Sequence, residues 1–333
     1  MKRPVSLLML CAAIGLAGAS SAFAQALQKV RATQSVATFD FLAVDYAKLT
    51  GIFASEGLDV EQIATRGAGP DLGALVSGDV EFNLSPGVNQ INAIIGNRDV
   101  ITIGNLVNRS LIGLVVNKAV MEKRGISPDA PLAERAKVMA GLKMGMTQPG
   151  SLTDRQIRHL ARIGGVPESA ITIVSLGGAA SLVAAFEKGD IDGYAIATPF
   201  DRIQVARGRA VMVLDNARGD DPSIDPFMMT DVHTTRKYAS ANGETVRKFL
   251  RALRRATGEI DKRPVEEIRT VVQPAFANVP PEVMVIGITA LKRTLNTTGM
   301  VTLDMATKTL ALDGRKEVTP EKLFSTFDAS FLK

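Results

Sequence analysis

Apolar positions along this chain switch repeatedly between a period of two and a period near 3.6. Residues 29–32 open a strand, and residues 44–56 carry Val44, Leu49, Ile52 and Phe53 at helical spacing before Gly57 stops them. Residues 58–64 predict a strand, and Asp71 starts a helix through Leu72, Leu75 and Val76 that Gly78 ends. A strand at 80–84, a helix carrying Val88, Ile91, Ile94 and Ile95, and strands at 100–107 and 111–116 complete a first block. The second block runs helix 131–140, strand 143–147, helix 151–163, strand 171–176, helix 179–188, strand 191–197, a helix opened by Pro199, and strand 210–214. From Tyr238 the pattern is mainly helical, with Val246, Phe249, Leu250 and Leu253 in one stripe and Val283, Ile286 and Leu291 in another. Alternating strands and helices predict an α/β fold with mainly parallel sheets covered on both faces.

The strand ends share a chemistry. Thr33-Gln34-Ser35, Arg66-Gly67-Ala68-Gly69, Ser85-Pro86-Gly87, Gln148-Pro149-Gly150-Ser151, Leu176-Gly177-Gly178 and Thr198-Pro199 are small, polar or Gly-Pro. In open α/β sheets, ligands bind beyond the carboxyl ends of strands. The sharpest of these tips is 142–153. There a short strand breaks at Pro149-Gly150, and Ser151 and Asp154 form an S-x-x-D pattern close to a capping box. Such a tip is expected to leave backbone N–H groups free for anions or polar ligand groups. The plain alternative is an ordinary capped helix.

Composition narrows the setting. Residues 1–24 predict a cleaved secretory signal: Lys2 and Arg3, an apolar run 5–18, and Ala22-Phe23-Ala24 before Gln25. The run is short for a membrane span, and Leu8-Met9-Leu10-Cys11 is a poor lipobox. Cys11 is the one cysteine in 333 residues, so a processed chain has no disulfide, thiolate metal site or cysteine nucleophile. The formal charge of +5 falls to about +3 without Lys2 and Arg3, and no basic block signals nucleic acid. His159 and His233 have no metal-ligand partner at useful spacing, and no metal or other cofactor is expected.

Several motifs, in order, resemble one family. Gly51 to Val60 reads G-x-F-x-x-E-G-L-D-V; Gly67 to Phe82 is a glycine-rich turn, helix and L-x-x-G-x-x-D pattern; residues 142–160 match a strand and helix around G-S; Leu176-Gly177-Gly178 and Ala184 to Gly193 match L-G-G and A-L-x-x-G-x-I-D-A. The chain resembles the periplasmic solute-binding proteins of ABC importers for nitrate, sulfonates, taurine and thiamine-pyrimidine precursors. That resemblance implies the two-lobe, type II periplasmic-binding fold, with a ligand cleft between lobes joined by two crossovers near Asn117 and Leu214. Lobe 1 would be 25–116 and 215–333, and lobe 2 would be 117–214. It also implies a periplasmic monomer that binds a small solute, docks on a membrane permease and performs no chemistry.

The ligand-binding set expected from the tips and the resemblance is Ser35, Thr38, Phe39, Phe41, Gly67, Ala68, Ser85, Pro86, Asn108, Gln148, Ser151, Thr153, Gly178, Thr198 and Phe200. Many relatives carry Glu-Pro where this chain has Thr198-Pro199, which weakens a cationic ligand. Arg66 and Arg109 sit in loops and can pair a sulfonate or carboxylate. The expected ligand is therefore a small organic anion held by hydroxyls and N–H groups. Two other classes share the fold. One is an enzyme, either a thiamine-pyrimidine synthase, whose cysteine-rich motif is absent here, or a dehydratase. The other is a ligand-sensing subunit of a membrane receptor.

Overall fold

The computed structural model describes residues 26–65 and 68–333. The expected signal segment with its Ala24/Gln25 junction, together with Arg66 and Gly67, lies outside the described residues. Two five-stranded sheets organise the rest. The first contains β1 (Gln28–Gln34), β2 (Leu58–Ala64), β3 (Phe82–Ser85), β4 (Val100–Val107) and β10 (Thr230–Thr235), in the order β2-β1-β3-β10-β4. The second contains β5 (Ile112–Asn117), β6 (Lys143–Met146), β7 (Thr172–Ser175), β8 (Gly193–Ala197) and β9 (Ala210–Asp215), in the order β7-β6-β8-β5-β9.

The two orders are the same pattern. In each sheet the first strand made after a crossover inserts antiparallel between the third and fourth strands. The register places the start of β10 beside the ends of its neighbours, Asp231 opposite Ser85 and Thr230 opposite Val107. β5 does likewise, with Ile112 opposite Ala197 and Gly113 opposite Asp215. Both crossovers therefore run along the carboxyl-end edges of the sheets. This corrects the expected boundary at Asn117. Residues 112–117 belong to the second sheet, so the first crossover is residues 108–111, and the second lies between Asp215 and Thr230. A run such as Leu111 to Val116 is apolar enough for either sheet, and nothing local assigns its partners.

Packing follows the periodicities. β4 and β8 are buried on both faces. The helix Gly243–Lys262 lays Val246, Phe249, Leu250, Leu253, Ala256 and Ile260 on the first sheet. Phe249 stacks on Phe82 with ring centroids 4.1 Å apart and on Phe53 at 5.5 Å. The chain end then covers the exposed edge of β4: Thr102 N–H donates to Thr326 O, and Asp328 N–H donates to Thr102 O.

The lobes meet at several places, and the apolar core is continuous between them. Phe39 N–H donates to Thr198 O at 2.8 Å, joining the tip after β1 to the tip after β8. Arg155 of the second lobe lies 3.5 Å from the buried carboxylate of Asp313, and Arg162 donates to Leu312 O. At the back of the seam, Gly287 in the helix Pro281–Lys292 leaves no room for a side chain. A Cβ there would sit 2.8 Å from the Phe39 ring and 2.9 Å from Thr198 Oγ1. Gly287→Ala should therefore destabilise the protein by about 1–3 kcal/mol through overpacking. The matched change Gly258→Ala, where nothing lies within 4 Å, should be neutral or stabilising by about 0.5–1 kcal/mol. Thermal unfolding of the pair checks this; equal melting temperatures would show that the seam yields freely.

Candidate functional site

The tip after β6 is a closed ring of hydroxyls. Ser151 caps the helix Leu152–Ile163, its Oγ accepting from Asp154 N–H. The Thr147 hydroxyl donates to Ser151 Oγ at 3.0 Å, and Thr153 Oγ1 lies 2.9 Å from both. Thr147 N–H donates to Thr153 Oγ1, Ser151 N–H to Gln148 O, and Gly150 N–H to Asp154 Oδ2. Part of this tip's donors are thus spent on its own side chains, while the first-turn N–H groups of Leu152 and Thr153 complete no hydrogen bond among the described residues. The acid of the S-x-x-D pattern sits where a bound anion would otherwise be held.

Opposite this ring stands the turn after β1. Thr38 begins a 3-10 turn, Phe39–Phe41, that buries Asp40 between two aromatic residues. Asn89 lies buried in the first turn of the helix Gly87–Ile95. These groups face an inner chamber of about 40 Å³ walled by Phe41, Ile112, Leu152, Ile196 and Met229. Asp40 Oδ1, Thr38 Oγ1 and both amide atoms of Asn89 are buried and complete no hydrogen bond among the described residues. Burial pushes the Asp40 carboxyl up to about 7, opposed by the Thr38 hydroxyl and its own backbone N–H. A wider mouth of about 470 Å³ adjoins, sharing Ser35 and Val36 and reaching Gly178 and Phe200. No lysine or arginine lines either chamber among the described residues.

Ser35, Thr38, Phe41, Pro86, Ser151 and Thr153 are brought together in the inner chamber, and Ser35, Gly178 and Phe200 in the mouth. Other expected residues stand apart. Phe39 is core, edge-on to Phe276 at 4.8 Å. Ser85 is buried and donates to Asn83 Oδ1. Asn108 lies in the first crossover, its backbone bonded to Thr294 and Phe227. Gln148 is half-exposed and lines neither chamber. Thr198 lines neither chamber; its carbonyl accepts the Phe39 N–H and its hydroxyl is buried. Gly67 is outside the described residues, and Ala68 only begins the helix Ala68–Ser77. Arg109 is paired with Asp225 at 2.7 Å rather than lining a chamber. Sequence reasoning passed over Asp40 and Asn89. The signal available for Asp40 was an acid enclosed by Phe39 and Phe41 directly after a strand tip.

The histidines are structural. His159 bonds Asp221 at 2.7 Å. His233 is buried beside Thr102, and burial lowers it to about 4, so it is neutral. Among the described residues, no group of three or more His, Cys, Asp or Glu is placed to hold a metal ion.

The NMT1/THI5 like family model matches residues 38–267, which includes both cleft walls. The chain belongs to that family. Solved structures share its fold: one from Bordetella bronchiseptica RB50 at TM-score 0.79 and 20% identity, covering 91% of this chain and 95% of that one. The alkanesulfonate-binding protein SsuA from Xanthomonas axonopodis pv. citri, bound to MOPS, follows at 0.64 and 17%, covering 81% and 86%. The periplasmic nitrate-binding protein NrtA from Synechocystis PCC 6803 gives 0.63 and 18%, covering 78% and 69%. No curated protein sequence matches. The two-sheet architecture of this NMT1/THI5 like chain is therefore the periplasmic-binding-protein fold.

The raised Asp40 carboxyl has a consequence for stability. Its folded pKa lies above the ordinary 3.8, so folding favours the protonated acid. That contribution is complete below about pH 4 and is lost as pH rises through 7. Asp40→Asn removes the loss. The variant should match the parent near pH 4 and exceed it by on the order of 4 kcal/mol at pH 8. Denaturant unfolding across pH checks this; a pH-independent difference would contradict it.

Proposed function

We propose that this chain is the periplasmic solute-binding component of an ABC importer, capturing a small organic solute between its lobes and presenting the closed form to a membrane permease. The observation that carries this is the inner chamber. Uncommitted buried polar atoms from the first lobe face a hydroxyl ring from the second. Buried polar groups are almost always bonded, so such a site is made for a guest that completes them when the lobes close. Family membership supports the reading, as do neighbours whose titles describe sulfonate and nitrate binding. Secretion through the residue 1–24 segment belongs to the same proposal.

The enzyme reading keeps one specific observation, since a carboxyl raised to about 7 in a cleft is also what general acid–base catalysts use. Recovery of bound solute unchanged, followed by NMR, separates the two.

A thermal-shift panel of sulfonates, carboxylates, nitrate, pyrimidines and amines tests capture. A true ligand at 100-fold excess over its Kd should add about 2.7 kcal/mol. The double variant Ser151→Ala, Thr153→Ala should bind that ligand at least ~10-fold more weakly while keeping its far-UV spectrum. Unchanged affinity would remove the hydroxyl ring from the site.

A further inference from the structure

The solute's chemistry can be taken further, on the footing that the cleft is a solute site. We propose that Asp40, with Thr38 and Asn89, recognises a cationic nitrogen head group, a protonated amine or an amidinium, rather than the anion the sequence led us to expect. Three observations converge. Among the described residues, Asp40 is buried with no lysine or arginine lining either chamber, its Oδ1 and both Asn89 amide atoms complete no hydrogen bond, and the Thr38 hydroxyl acts on the Asp40 carboxyl alone. A carboxylate, a hydroxyl and an amide carbonyl together accept several N–H donors, and a charge-assisted bond to the carboxylate is the strong member. The helix tip that would receive an anion has spent part of its donors, Gly150 N–H on Asp154, Asp154 N–H on Ser151 and Thr147 N–H on Thr153, and keeps the Leu152 and Thr153 N–H groups of its first turn. An anion there would meet Asp40 with no lysine or arginine lining either chamber among the described residues. Size agrees. A chamber of about 40 Å³ holds a head group of a few atoms, while the body of the solute occupies the 470 Å³ mouth between Phe200 and the Gly177-Gly178 turn.

A carboxyl kept for structure and one kept for a ligand respond oppositely to Asp40→Asn. Loss of a structural carboxyl lowers stability. Loss of a ligand carboxyl raises the stability of the free protein and lowers affinity. The test uses probes matched in shape and opposite in charge: benzamidine against benzenesulfonate, and propylamine against propanesulfonate, by calorimetry and thermal shift at pH 8. The expected result is binding of benzamidine or propylamine, weakened at least ~10-fold by Asp40→Asn in a variant that melts higher than the parent. Binding of a sulfonate that survives Asp40→Asn and is lost in Ser151→Ala, Thr153→Ala overturns this proposal and leaves solute capture standing. Cation binding unaffected by Asp40→Asn overturns the assignment of Asp40. Absence of binding by either cation also overturns the proposal, and the wider panel above then judges solute capture on its own.

Discussion

The cleft depends on one constraint of connectivity. Each sheet accepts an antiparallel strand between its third and fourth members, β10 in the first and β5 in the second. A strand that enters antiparallel must start where its parallel neighbours end. Both crossovers are therefore forced onto the carboxyl edges of the two sheets, which then face each other across them. The tips after β1, β3, β6 and β8 converge because of this, and so does the short seam in which Phe39 N–H meets Thr198 O against Gly287. A sheet pair linked on the opposite edges would bury the crossovers and scatter the tips.

Within that frame the two lobes contribute unlike surfaces. The second lobe presents hydroxyls already bonded to one another, with Asp154 closing the helix tip from inside. The first presents polar atoms with nothing to bond, at a carboxyl that burial holds close to neutrality. The second lobe's hydroxyls are satisfied without a guest, and the first lobe's polar atoms are not. Binding energy available from the guest is thus concentrated on Thr38, Asp40 and Asn89, and the free protein bears the strain of leaving them buried.

How far the sequence was legible follows from the range of each signal. Strand and helix periods are local, so the α/β alternation, the capping serine at 151 and the glycine stops were readable. The convergence of polar tips was readable too, since all follow strands. Partners distant in sequence were not. Residues 111–116 do not encode which sheet they join, and Arg109 does not announce Asp225, which ties it at 2.7 Å. The tip at 148–153 carries the right residues for anion capture, yet the same residues can satisfy its N–H groups, and only their positions decide. Asp40 was missed because an acid between two phenylalanines reads as the polar side of a turn; the 3-10 geometry at Phe39–Phe41 turns it inward instead.

The central claim is that a solute draws the two lobes together over the cleft. Since Cys11 is the sequence's one cysteine, a chain begun at Gln25 accepts spin labels only where they are placed, at exposed Glu61 on β2 and exposed Lys188 in the second lobe. The pulsed-resonance distance between Glu61→Cys and Lys188→Cys should shift to a single shorter population on saturation with a solute that raises the melting temperature. A distance distribution unchanged at saturation would contradict the account.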